Sequence, residues 1–116
     1  MSRDIEALQE KLREFASERD WGQFHSPRNL AASLSIEAAE VLEHFQWLTD
    51  EQSRQLSDEK RAAVSTELAD VFLYLVQLAD SLRVDLIAAS SAKIEENGRK
   101  YPVDRSRGAA TKYTDL

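Results

Sequence analysis

The stretch Ser35–Leu48, SIEAAEVLEHFQWL, sets Glu37, Glu40 and Glu43 at intervals of three inside a segment that is otherwise apolar and helix-forming. A second stretch, Glu67–Val76, ELADVFLYLV, repeats the arrangement with Glu67 and Asp70. Placing Glu37 over Glu67 brings Leu34, Ala38, Val41, Leu42, Phe45 and Leu48 into register with Val64, Leu68, Val71, Phe72, Leu75 and Leu78. At about 100° per residue each set forms one apolar stripe, expected to be buried. Glu37 with Glu40, and Glu67 with Asp70, fall on the same flank of their stripes.

Residues three apart on a helix are neighbours, so each pair holds like charges together at a cost of about a few tenths of a kcal/mol. One such pair is ordinary on a solvated helix face. Two pairs at equivalent places on adjacent apolar helices are different, because packing the stripes brings four carboxylates towards one groove, where a cation is expected. Oxygen-only ligands suit a hard ion, Mg²⁺ or Mn²⁺, and Mg²⁺ commonly bridges carboxylates to substrate phosphates. A di-iron bundle would require Glu-x-x-His motifs, and neither His25 nor His44 stands three residues after a glutamate.

Outward from these helices the chain reads as all-α. Ile5, Leu8, Leu12 and Phe15 recur at helical spacing between about Ser2 and Ser17. The linker RDWGQFHSP breaks the pattern with Gly22 and Pro27; its two aromatics, Gln23 and His25 make it a candidate binding element. Ser26 as N-cap and Pro27 at the first helical position start the second helix, expected to run to Trp47 or Leu48. Thr49 and Ser57 are caps around a short helical turn, and the third and longest helix is expected from Asp58 to Leu82. Asp85 caps a fourth helix reaching Lys100, ahead of Pro102. Four helices with short connections predict a four-helix-bundle-like domain over residues 1–102, with 103–116 an extended or mobile tail.

The 116 residues suit one domain, and a small domain leaves much surface unburied and often associates. A net charge of −6 argues against a general grip on nucleic acid or anionic lipid. With no cysteine, thiolate catalysis and Cys-based zinc sites are excluded. The N-terminal sequence has no signal-peptide core and no run reads as long and uncharged enough to span a bilayer, so a cytoplasmic enzyme or binding module is expected.

Trp21, Phe24 and Trp47 can fill a core or a subunit contact, but loop aromatics can also stack on a base. Tyr74 lies seven residues after Glu67, along the same flank. Lys93, Asn97 and Lys100 line one side of the fourth helix, either as a solvated edge or as a phosphate contact. Glu43, Glu95 and Glu96 read as surface residues. Leu73 and Val76 lie off the third helix's main stripe, leaving that helix apolar on more than one side, as at an interface between subunits.

E-x-x-E at Glu37–Glu40 followed by E-x-x-D at Glu67–Asp70 resembles the metal-binding signature of the MazG-like all-α nucleoside triphosphate pyrophosphatases. The segments FASERDWGQFHSPRNL, EHFQW, ELADVFLYLV, RVDL, RKYP and KYTDL are similar to the dCTP pyrophosphatase branch and together cover most of the chain. The resemblance implies hydrolysis of dCTP or a modified deoxynucleoside triphosphate between the α and β phosphates, with Mg²⁺ on Glu37, Glu40, Glu67 and Asp70. It further implies substrate contacts from Trp21, Gly22, Gln23, Phe24, His25, Trp47, Tyr74, Lys93 and Asn97, a homotetramer built as a dimer of dimers, and nucleotide-pool sanitation. Leu12 stands where relatives can carry a polar residue that touches substrate, which leaves base preference open. Which carboxylate serves as catalytic base is also open. The alternatives are a house-cleaning pyrophosphatase of different base preference and a non-catalytic helical nucleotide-binding or interaction module.

Overall fold

In a computed structural model, residues 2–115 are described, so Leu116 of the predicted tail lies outside them. The chain is all-α: α1 (Arg3–Glu18), a 3₁₀ turn (Gly22–Phe24), α2 (Pro27–Glu43), α3 (Asp50–Ser53), α4 (Asp58–Leu82), α5 (Leu86–Lys100), α6 (Val103–Ser106) and a final 3₁₀ turn (Tyr113–Asp115). It divides into two compact units, Ser2–Val84 and the segment from Asp85 onward.

Within the first unit α4 packs against both α2 and α1. Its start is fixed by Ser57, whose Oγ accepts from Lys60 N at 3.1 Å. Its end is fixed by Arg83 in the left-handed region, with Val84 N donating to Ala79 O at 2.9 Å. Among the described residues, Val64, Val76 and Ala79 of α4, with Leu30 of α2, are the buried apolar ones. Gln9 of α1 is buried with them and donates its side-chain N–H to the Val76 carbonyl at 2.9 Å. Arg13 adds a two-pronged ion pair to Asp80, both contacts at 2.8 Å. Leu73 and Val76, the residues predicted to lie off the main stripe, therefore occupy the side of α4 turned to α1 of the same chain.

Ser26 and Pro27 start α2 as predicted, Ser26 Oγ accepting from Asn29 N at 3.2 Å. The helix stops at Glu43, short of the expected Trp47 or Leu48, and residues 44–47 form turns. The turns are closed by tighter bonds, Phe45 N to Leu42 O and Leu48 N to Phe45 O, both at 2.9 Å, and Thr49 and Gln52 then form a reciprocal capping box that starts α3. Trp47 is thereby off the helix and 87% exposed.

The predicted burial of the two stripes also needs correction. Leu42 is 62% and Leu68 53% exposed, with Ala38 and Leu75 also exposed, while Glu37, Glu40, Glu67 and Asp70 are half-buried. The seam between α2 and α4 is thus rotated from the stripes towards their acidic flank, and the stripes turn partly to solvent.

Contrary to the expectation that no segment could span a bilayer, α4 is long and apolar enough by length and composition alone, with a window of mean hydropathy 1.4. The same helix packs against α1 and α2 and carries Glu67 and Asp70 near its middle.

In the second unit Asp85 caps α5, its Oδ1 accepting from Ala88 N at 3.1 Å. The tail is not simply extended: it forms α6, and Tyr113 meets Tyr101 edge-on at 5.9 Å while Lys100 lies 4.7 Å over the Tyr113 ring.

Candidate active site

Spacing of three puts Glu37 and Glu40 on one face of α2 and Glu67 and Asp70 on one face of α4, and the two faces meet at the seam. Glu37, Glu67 and Asp70 each bring one carboxylate oxygen within 4.8 Å of the others. Glu40 interacts with both Glu37 and Glu67. The Glu37 carboxyl is held above its ordinary range by hydrogen bonding with Glu40, then by burial, then by the charges of Glu40, Asp70 and Glu67. Glu67 is held up by the same contact with Glu40 and by burial, while His44 pulls the other way. His44 Nε2 stands 3.7 Å from Glu67 Oε1, within ion-pair range and beyond a good hydrogen bond.

Glu37 Oε2 is buried and has no hydrogen-bond partner. A buried carboxylate oxygen without a donor is costly, and here its nearest neighbours are further acids. The residues fit a hard divalent cation: the donors are all oxygen, they converge, and one of them lacks any other partner.

A hollow of about 350 Å³ adjoins this cluster, with Asp70 as one of its walls. Leu8, Lys11, Leu12 and Phe15 of α1 lie on one side, Trp21 and His25 of the linker on another, and Leu73, Tyr74 and Gln77 join Asp70 from α4. A neighbouring hollow of about 440 Å³ shares Leu12, His25 and Gln77 but contains none of the four carboxylates. The smaller hollow is therefore the one joined to the acids.

The linker is shaped by Asp20, a left-handed residue at φ 53°, a conformation that a short polar side chain tolerates. Trp21 N then returns to Ala16 O at 2.9 Å, and the indole meets Phe15 edge-on at 5.6 Å. Asn29 Nδ2 ties the other end to Phe24 O at 2.9 Å.

The candidate substrate residues do not all gather at one place. Trp21, His25 and Tyr74 line the hollow beside Asp70, and Gly22 lines the neighbouring one. Gln23 instead bonds to Asp20, and Phe24 and Trp47 are exposed. Lys93 and Asn97 lie on α5 in the second unit, where Lys93 and Lys100 both pair with Glu96, at 3.4 and 3.1 Å. Those two lysines hold Glu96 below its ordinary range.

Sequence reasoning missed Leu8, Lys11, Phe15 and Gln77 as cavity walls, and His44 as the neighbour of Glu67. Leu8, Leu12 and Phe15 were legible only as an apolar stripe, with nothing to distinguish a cavity wall from a core. Gln77 carried a usable signal: it follows Asp70 by seven and Tyr74 by three residues, on one face of α4.

A MazG-like family model matches residues 32–116. The chain is 49% identical to the dCTP pyrophosphatase 1 of Bos taurus over 114 residues, spanning 97% of this chain and 68% of that protein. It is 46% identical to the dCTP pyrophosphatase 1 of Homo sapiens over 114 residues, with 97% and 67% covered. Among solved structures it resembles a pyrophosphatase from Archaeoglobus fulgidus, with a TM-score of 0.81, 41% identity, and 88% of this chain and 95% of that chain covered.

Proposed function

The chain belongs to the MazG-like family, and we propose that it is a nucleoside triphosphate pyrophosphohydrolase that converts dCTP, or a modified deoxycytidine triphosphate, to the monophosphate and pyrophosphate. The observation that carries this reading is the junction at Asp70, where an apolar hollow with room for a base opens beside converging carboxylates. Phosphoanhydride cleavage needs positioning and charge neutralisation more than covalent work by the protein. The four acids add negative charge where the phosphates would lie, so a cation between them and the phosphates would supply that neutralisation.

Glu37, Glu40, Glu67 and Asp70 would hold the ion, Mg²⁺ with Mn²⁺ as a substitute. When bound, it supplies charge neutralisation at the phosphate oxygens. The chain's own residues do the rest. Trp21 offers an aromatic face to the base, the α1 leucines keep water from it, and Tyr74 stands between base site and acids. Removal of a proton from the attacking water falls to a carboxylate of the same cluster. The exposed Leu42, Leu68, Leu75 and Trp47 support association with further copies of the chain, and the arrangement proposed is a cytoplasmic homotetramer built as a dimer of dimers. Such an enzyme would clear or balance the deoxynucleotide pool.

Pyrophosphate release should be measured across canonical and modified deoxynucleotides with Mg²⁺. Turnover favouring the cytosine nucleotides, and its loss in Asp70→Asn with helicity kept, is the expected result. Undiminished release by Asp70→Asn would remove the cluster from the mechanism, and indifference to the base would remove the cytosine assignment.

A further inference from the structure

The walls contributed by Leu8, Leu12, Phe15 and Leu73 can enclose a base but cannot distinguish one hydrogen-bonding edge from another. Gln77 can, and its side chain is oriented by the fold. It is half-buried on α4, and its Nε2 donates to the Leu73 carbonyl at 3.1 Å. Only the nitrogen can make that bond, so the positions of amide oxygen and nitrogen are set by chemistry. A half-turn of the amide would place Oε1 against the Leu73 oxygen, acceptor against acceptor.

We propose that Gln77 is a specificity-determining residue that selects a 4-amino pyrimidine over a 4-oxo pyrimidine. The proposal rests on reading the Asp70 hollow as the site of the nucleobase. Gln77 Oε1 accepts from the exocyclic amine of cytosine, and the second hydrogen of Nε2 faces the unprotonated ring N3. Uracil presents the reverse pattern, an acceptor at O4 and a donor at N3. A freely rotating glutamine would flip to suit either ring. The bond to Leu73 opposes the flip, so the residue favours cytosine.

Position along α4 supports the same assignment. Gln77 lies seven residues beyond Asp70, about 10 Å along the helix axis. That separation leaves room for the sugar and first phosphate between the base edge and the acids. Tyr74 lies between the two and lines the same hollow.

The test compares dCTP with dUTP, which differ only at this edge of the ring. Pyrophosphate release by the full chain with Mg²⁺ gives the ratio of kcat/KM values for wild type, for Gln77→Met, which keeps side-chain length, and for Gln77→Ala. The ratio is expected to fall by about 10- to 100-fold in both variants, the effect of losing one or two neutral hydrogen bonds. A wild-type ratio in a Gln77→Met protein that melts normally overturns the proposal. If wild type releases no pyrophosphate from any triphosphate, the pyrophosphohydrolase reading has failed separately. Equilibrium binding of dCMP and dUMP then decides on Gln77 alone: a preference for dCMP that Gln77→Met abolishes supports it, and equal binding to wild type overturns it.

Discussion

Divalent-cation binding should register as thermal stability, in an amount that depends on pH. Glu37 and Glu67 are both raised above the ordinary 4.5, each chiefly by its contact with Glu40. A carboxyl with a raised folded-state pKa holds its proton more tightly folded than unfolded. The stability it contributes is full below 4.5 and is lost as pH rises through the raised value. Metal-free protein should therefore melt lower at about pH 8 than at about pH 5 through this cluster. Adding Mg²⁺ at the higher pH should reverse the loss. At free Mg²⁺ about 100 times its Kd, linkage gives about 2.7 kcal/mol. An unfolding entropy of about 2.1 cal/mol/K per residue comes to about 0.24 kcal/mol/K over 116 residues. The expected rise in Tm is then about 11 °C, measured by calorimetry at fixed protein concentration. At about pH 5 protons compete for the same oxygens, so the increment should shrink. Glu37→Gln removes a charge and places an NH₂ group where Oε2 has no partner, so its metal-free Tm should rise while the Mg²⁺ increment falls. A Mg²⁺ increment that survives Glu37→Gln at full size would refute the assignment of this cluster.

Two further substitutions test the supporting structure. Gln9→Ala deletes the buried bond to Val76 and a methylene, about 2 kcal/mol together, and should lower Tm by about 8 °C. Gln9→Leu fills the space and should cost less than half as much by the same calorimetry. His44→Leu removes the neighbour of Glu67 and should weaken Mg²⁺ binding about 10-fold in titration calorimetry, with His44→Gln restoring part of the loss. Equal affinity in wild type and His44→Leu would show that His44 does not position the carboxylate.

The helices were legible because their ends are written locally. Ser26 with Pro27, Ser57, and Asp85 each cap the residue three positions on, and these interactions need no tertiary context. The end of α2 was less legible, because nothing in EHFQW breaks a helix and the Thr49–Gln52 box downstream marks only the start of α3. Site legibility followed the same rule. The pairing of Glu37 and Glu40 with Glu67 and Asp70 depends on two helix periods and one shared register, all visible in sequence. The hollow depends on where α1 lies against α4, a long-range relation set by Gln9 on Val76 and Arg13 on Asp80, each pair 67 residues apart. Spacing within α1 could not reveal it.

The rotation of the α2–α4 seam connects stability with the proposed chemistry. A helix pair built for stability alone would meet along Leu42 and Leu68, burying apolar area worth about 25 cal/mol per Å². Here the seam instead gathers four acids, leaves Glu37 Oε2 without a donor and turns those leucines outward. Both consequences are unfavourable for an isolated, metal-free chain. A cation would relieve the first by pairing the charges, and a second copy of the chain would relieve the second by covering the leucines. The two remedies are separable, because Glu40 and Asp70 face the seam while Leu42 and Leu68 face away from it. Charge neutralisation should therefore raise stability even in a protein held monomeric by dilution, whereas subunit association should add a contribution that grows with protein concentration.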